Sequence, residues 1–174
     1  RFKEKYTLQN SDIVGGAGTI QNRPIGTIFT LQELAIEMIK ESDNTATNIL
    51  IRRIGMVKVN NLLHRQGLRE TSLQREMMDF AAIAKGRQNY TSAQEMNVLL
   101  KRLLTQKLLS KKYTKKTLNI LRECADSPTI PRYLPSTIDI AHKTGTLDYV
   151  RGDSGILFLK GNELILSIIV ENFS

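Results

Sequence analysis

The feature that most constrains this chain is a change of hydrophobic period two thirds of the way along it. Over most of Leu31 to Cys124, residues 68–90 apart, the apolar residues recur at three and four; beyond Pro128, Pro131 and Pro135 they run in short β-rich blocks. A 3.6-residue period buries one face of a helix, whereas short apolar runs bounded by turn residues suit strands. The chain is therefore read as α+β, a helical region followed by an antiparallel sheet. The boundary is set at residues 22–133 for the mainly helical part and 134–174 for the sheet, within one domain.

The helices announce themselves by their caps. Thr30-Leu31-Gln32-Glu33 is a capping box, and Leu31, Leu34, Ala35, Met38 and Ile39 follow helical period to about Lys40. Glu41-Ser42-Asp43-Asn44 interrupts, because short polar side chains compete for backbone hydrogen bonds. Further helices are predicted from Thr45 to Gly55 and from Val57 to Gly67. Ser92-Ala93-Gln94-Glu95 opens another, and one more covers Lys111 to Cys124. Residues 68–90 have no clean period and read as a long surface loop with one helical turn; loops of that length usually carry function. Ile138 to His142 is strand-like, and two β-rich runs around Lys160-Gly161-Asn162 form a hairpin.

Composition excludes several functions. The net charge of +8 is concentrated in Lys101, Arg102, Lys107, Lys111, Lys112, Lys115 and Lys116. Leucines interleave at helical spacing, and few aromatics accompany the run. It reads as the solvated face of two helices and not as a nucleic-acid platform. One cysteine and two histidines without H-x-x-x-H spacing argue against zinc. Cys124 reads as a small buried apolar residue, since no residue near it in sequence supplies the partner a reactive thiol needs. His142 reads as a packed strand residue, and Arg151-Gly152-Asp153 as a turn between strands.

Two tripeptides carry chemistry. Ser42-Asp43-Asn44 lies between helices, and Lys143-Thr144-Gly145 ends a strand. Their order, separation and contexts resemble the class A β-lactamase and penicillin-binding protein family, whose signature is S-x-x-K, S-D-N and K-T-G. The glycine-rich Gly15 to Gly18, the helix before Ser42, the long loop and the final hairpin follow in the family's order over essentially the whole chain. The resemblance implies an α/β sandwich and an acyl-enzyme mechanism on β-lactams or D-Ala-D-Ala peptides, without metal or cofactor, outside the cytoplasm. It implies catalytic roles for Ser42 as proton relay, Lys143 as a positive charge near it, and the Thr146 backbone N–H as an oxyanion donor. Asn44, Thr144 and Gly145 would bind substrate.

The chain departs from that family twice. No S-x-x-K precedes Ser42. The nucleophile, its helix and the N-terminal strands are therefore expected on a missing N-terminal segment, carried on another chain, removed or not represented. The second departure is in the loop Leu73 to Phe80, where the place of the family's deacylating glutamate falls on Met77. Glu76, one position earlier, is the candidate substitute base, and Asp79 lies two later. A β-lactamase, a penicillin-binding D,D-peptidase with slow deacylation, and a non-catalytic wall-binding module all remain open on these residues.

Overall fold

A computed structural model describes residues 2–172. The chain divides into two compact units, residues 1–90 and 91–174. This division by packing is distinct from the change from helix to strand expected near residue 133, since two helices pack with the sheet. Their apolar faces find strands to cover, and that pairing is invisible to a helical period.

In the first unit a short antiparallel pair, β1 (Lys5–Thr7) and β2 (Ile28–Thr30), precedes α1 (Leu31–Lys40). Three-residue strands are too short to show alternation, so no sequence pattern announced them. Thr30 and Glu33 close the expected capping box: the Glu33 N–H donates to Thr30 Oγ1 at 3.2 Å and the Thr30 N–H to Glu33 Oε2 at 2.6 Å. Helices α2 (Asn44–Ile54) and α3 (Met56–Arg65) follow, separated by Gly55 at φ +88°. The helical turn expected in the long loop is α4 (Phe80–Ala84). Leu8, Ile20, Leu34, Ala46 and Ile49 form the core of this unit. Each large aliphatic among them contributes roughly 1.5–3 kcal/mol by leaving water.

The second unit starts with α5 (Ala93–Leu104), capped by Ser92, which accepts from the Glu95 N–H at 3.3 Å. It continues with α6 (Lys111–Arg122) and ends in an antiparallel sheet of β3 (Asp139–Thr146), β4 (Val150–Leu159) and β5 (Asn162–Glu171), in the order β3-β4-β5. Leu159 pairs with Asn162 across Lys160 and Gly161, whose φ of +85° suits a tight hairpin. Leu100, Leu103 and Leu118 of the two helices pack with Ala141 and Ile156 of the sheet. The lysines of the basic run lie mainly on the exposed side of α5 and α6, as expected of a solvated face. Arg151-Gly152-Asp153 is not a turn: Arg151 pairs with Thr146 and Asp153 with Thr144 inside the β3–β4 ladder. Polar residues read as a turn when their burial is hidden, and Asp153 is buried by tertiary contacts.

Candidate active site

The S-D-N turn is built around its middle residue. Asp43 is 1% exposed and caps α2: its Oδ1 accepts from the Ala46 N–H at 2.8 Å. Its Oδ2 accepts from the Ile20 N–H, also at 2.8 Å. One carboxylate thus satisfies an orphan donor of a helix start and fixes a segment 23 residues away in sequence. The glycine-rich stretch lies directly on this turn. The Asn44 N–H donates to Ala17 O at 3.1 Å and Asn44 Nδ2 to Gly15 O at 3.0 Å. At Gly16 a Cβ would sit 2.6 Å from Asn44 Nδ2, and at Gly18 it would collide with Asp43, so the close approach requires glycine. Ser42 adopts φ +53°, a left-handed conformation that costs a non-glycine residue about 1 kcal/mol or more. The tight junction between α1 and the capped start of α2 holds it there.

The loop of residues 68–90 is held by three asparagines. Asn48, 1% exposed on α2, accepts from the Met77 N–H at 2.7 Å and donates to Met77 O at 3.0 Å. Asn60 on α3 makes the same two-way contact with Leu73, at 2.8 Å each way. Asn89 accepts from the N–H groups of Gln74 and Arg75. A carboxamide offers both a donor and an acceptor, so it can imitate a strand neighbour. This clamping fixes the backbone at Met77. Both nearby carboxylates are committed elsewhere. Glu76 accepts from Arg52 Nη1 at 2.9 Å, while Arg52 Nη2 donates to buried Asp12 at 2.8 Å. Asp79 caps α4 by accepting from the Ala82 N–H at 2.9 Å.

The K-T-G residues occupy the C-terminal half of β3, which ends the described sheet. Lys143 Nζ donates to Thr144 O at 2.8 Å. The Thr144 hydroxyl, expected to face a substrate carboxylate, donates instead to Asp126 Oδ2 at 2.7 Å, and the residue is 7% exposed. Asp126 follows α6 in a loop whose approach to β3 has no local signature. Gly145 and Thr146 are exposed, and a Cβ at Gly145 would meet no atom within 4 Å.

Sequence reasoning missed a constellation beside these residues. Cys124 is not a buried apolar filler. Strand β3 brings His142 to it, and His142 in turn bonds Asp153 of β4, Nδ1 to Oδ1 at 3.0 Å. Burial would lower the His142 pKa, but its hydrogen bonds to Asp153 and Cys124 and the pull of their charges outweigh it and raise it to about 9. Burial likewise works against ionising Asp153, yet His142, Thr129 and the Ile130 N–H hold its carboxyl below the ordinary value. Among the described residues no cluster of His, Cys, Asp and Glu could hold a metal ion. The only available signal was that Cys124 and His142 are chemically matched; nothing local said that they meet.

An α-helical unit carrying S-D-N and a helix-covered antiparallel sheet carrying K-T-G define a serine β-lactamase-like protein. The comparisons with known proteins agree. The model of the β-lactamase enzyme family matches residues 1–174, and the chain belongs to that family. The β-lactamase VEB-1 of Pseudomonas aeruginosa is 30% identical over 183 residues, covering 97% of this chain. A β-lactamase from Sphaerobacter thermophilus superposes with a TM-score of 0.90 at 26% identity over 99% of this chain. PBP-A superposes at 0.88 with 28% identity over 98%, and a PBP-A variant has been solved as an acyl-enzyme complex with penicillin G. The chain spans 61% of the length of VEB-1, 66% of the Sphaerobacter enzyme and 63% of PBP-A.

Proposed function

We propose that this chain supplies the substrate-binding and proton-relay parts of a penicillin-binding acyltransferase that forms an acyl-enzyme and deacylates slowly. The serine nucleophile would come from residues outside this chain. Ser42 would relay a proton to the departing nitrogen, and Asn44 would hold the acyl amide. Lys143 would supply positive charge to the substrate, and the exposed end of β3 at Gly145 would let substrate lie along the strand edge, with the Thr146 N–H as an oxyanion donor. A substrate carboxylate would have to displace Asp126 from Thr144 or use the neighbouring Thr146 hydroxyl. Substrates would be β-lactams and D-Ala-D-Ala peptides, met outside the cytoplasm.

One observation favours slow deacylation over a fast β-lactamase. Asn48 fixes the Met77 backbone from both sides, so on the family's pattern the loop would offer a thioether in place of a base, and Arg52 and the α4 start occupy Glu76 and Asp79. A thioether cannot take a proton from water. Intact mass of the full-length protein after benzylpenicillin tests the reading. A single adduct that persists for hours supports it. Rapid turnover to hydrolysed product would overturn it and return Glu76 or Asp79 to the base's role. Absence of any adduct would favour a wall-binding module.

A further inference from the structure

We propose that the outer side of α6 and of the loop before it is a docking surface for an anionic lipid bilayer, held by lysines against phosphate headgroups. This does not rest on the acyl-transfer reading. It begins with how unevenly charge is spread along the chain. Residues 96–122 contain eight of the 25 lysines and arginines and none of the 17 aspartates and glutamates. The rest of the chain carries 17 of each sign and is neutral as a whole, so this one stretch accounts for the entire net charge of +8. A face that is only solvated ordinarily mixes both signs. Charge segregated to this degree marks a surface for a polyanion.

The fold turns that stretch outward. Helices α5 and α6 pack through Leu100, Leu103 and Leu118 on Ala141 and Ile156, which are partners across the β3–β4 ladder, so both helices cover the same face of the sheet. Lys101, Lys107, Lys111, Lys112 and Lys115 are all exposed, and among the described residues none of the five makes an ion pair. Arg122, the last residue of α6, differs, because Asp139 takes it. The charge also works against the helix that bears it. Lys111 and Lys112 are the first two residues of α6, where the positive end of the helix dipole repels a cation, and no acidic residue occupies that turn. Lys111 stands four residues before Lys115, and Lys112 four before Lys116; like charges at that spacing repel. Ser110, at the N-cap, makes no side-chain capping bond that would offset this. The helix is held instead by burying Leu118 and Ile120. An anionic surface brought to the outer side relieves all of these repulsions at once.

The side chains select the class of polyanion. The five exposed cations are lysines, hydrated point charges on flexible stems, without the planar fork by which arginine grips one phosphate in two places. That suits a fluid array of headgroups better than a single fixed anion. Tyr113 of α6 is 42% exposed, and a tyrosine, apolar in body and polar at its tip, is at home at headgroup depth. A single-stranded nucleic acid would want several aromatic platforms, and residues 96–122 hold only this one. No described helix is long and apolar enough to cross a membrane, and a contact of this kind needs none. Each lysine brought to an anionic bilayer strengthens binding about fivefold, so a cluster is required, and a cluster is present.

The test is sedimentation of the full-length protein with vesicles of phosphatidylglycerol and phosphatidylcholine in equal parts, and with vesicles of phosphatidylcholine alone. One variant carries Lys111→Glu, Lys112→Glu and Lys115→Glu. Its control carries Lys58→Glu, Lys85→Glu and Lys160→Glu, exposed lysines elsewhere, so both lose the same charge. Glutamate is favourable at a helix start, so lost binding in the first variant is not a lost helix, and circular dichroism verifies that both are folded. The expected result is binding to the anionic vesicles only, at about 0.1 M salt, that disappears at about 1 M, where charges are screened within about 3 Å. The α6 variant should bind more weakly by on the order of 100-fold, and the control far less so. Equal weakening in the two variants would reduce the effect to net charge and overturn the proposal. Equal binding to neutral vesicles, or none to anionic ones at the lower salt, would also overturn it. So would binding to inorganic polyphosphate or duplex DNA through the same lysines that the anionic vesicles do not match.

Discussion

Replacing Asp43 by asparagine isolates what holds the S-D-N turn. The change is nearly isosteric, so it opens no cavity and alters only charge and hydrogen bonding. In the native turn each carboxylate oxygen accepts one buried N–H at 2.8 Å, from Ala46 on one side and Ile20 on the other. Asparagine keeps one oxygen and turns an NH2 group toward the other N–H, so one buried donor loses its acceptor. An unsatisfied buried donor costs about 1–3 kcal/mol. Loss of the negative charge at the start of α2 adds between about 0.3 and 2 kcal/mol, the upper end applying to buried caps such as this one. The expected destabilisation is about 2–4 kcal/mol. Urea unfolding of the intact protein followed by circular dichroism measures it, as a lower midpoint at unchanged slope. The loss should fall on the Ile20 side or the Ala46 side, depending on which way the amide turns. Asp43→Ala should therefore cost more, because it orphans both. A loss below about 0.5 kcal/mol, the range of ordinary surface substitutions, would refute the assignment of Asp43 as the turn's organiser.

Other consequences are equally open to measurement. Asn48→Ala removes both bonds to Met77 and leaves two backbone groups unpaired, so it should cost about 2–4 kcal/mol and raise amide exchange at Met77. Met77→Glu places a carboxylate at the clamped position and should shorten the lifetime of a penicillin adduct on the order of 100-fold, read by intact mass; an unchanged lifetime would remove the loop from the argument. Gly155→Ala would press a methyl group against His142 and Ala141 O and should destabilise by about 1–3 kcal/mol in thermal unfolding. The His142–Asp153 pair carries a pH signature. A histidine raised in the fold contributes fully below its unfolded value of about 6.5, and its contribution disappears as pH climbs through the folded value of about 9. In Cys124→Ser, where Asp153 is the remaining His142 partner, stability should fall as pH rises above about 6.5, and a flat or rising curve would contradict the pairing.

Much of this molecule was legible in the chain because its signals are local. The Thr30–Glu33 and Ser92–Glu95 caps, the helical periods of α1, α2, α3, α5 and α6, and the Lys160-Gly161 turn each depend on residues within a few positions of one another. The two tripeptides were legible for the same reason, and the family they indicated is the one to which the chain belongs. What the sequence could not carry were pairings between distant residues. Nothing local said that α5 and α6 would lie on the sheet, that Asp126 would take the Thr144 hydroxyl, or that Arg52 would hold Glu76. Arg151-Gly152-Asp153 looked like a turn because a buried aspartate and an exposed one are spelled alike. Cys124 is the sharpest case. By itself it is a small apolar residue at a helix end; folded, it lies beside His142, which a buried carboxylate holds in place. Capping and periodicity are properties of a few neighbouring residues. Ionisation is set by what surrounds a group in space, and only the tertiary structure decides that.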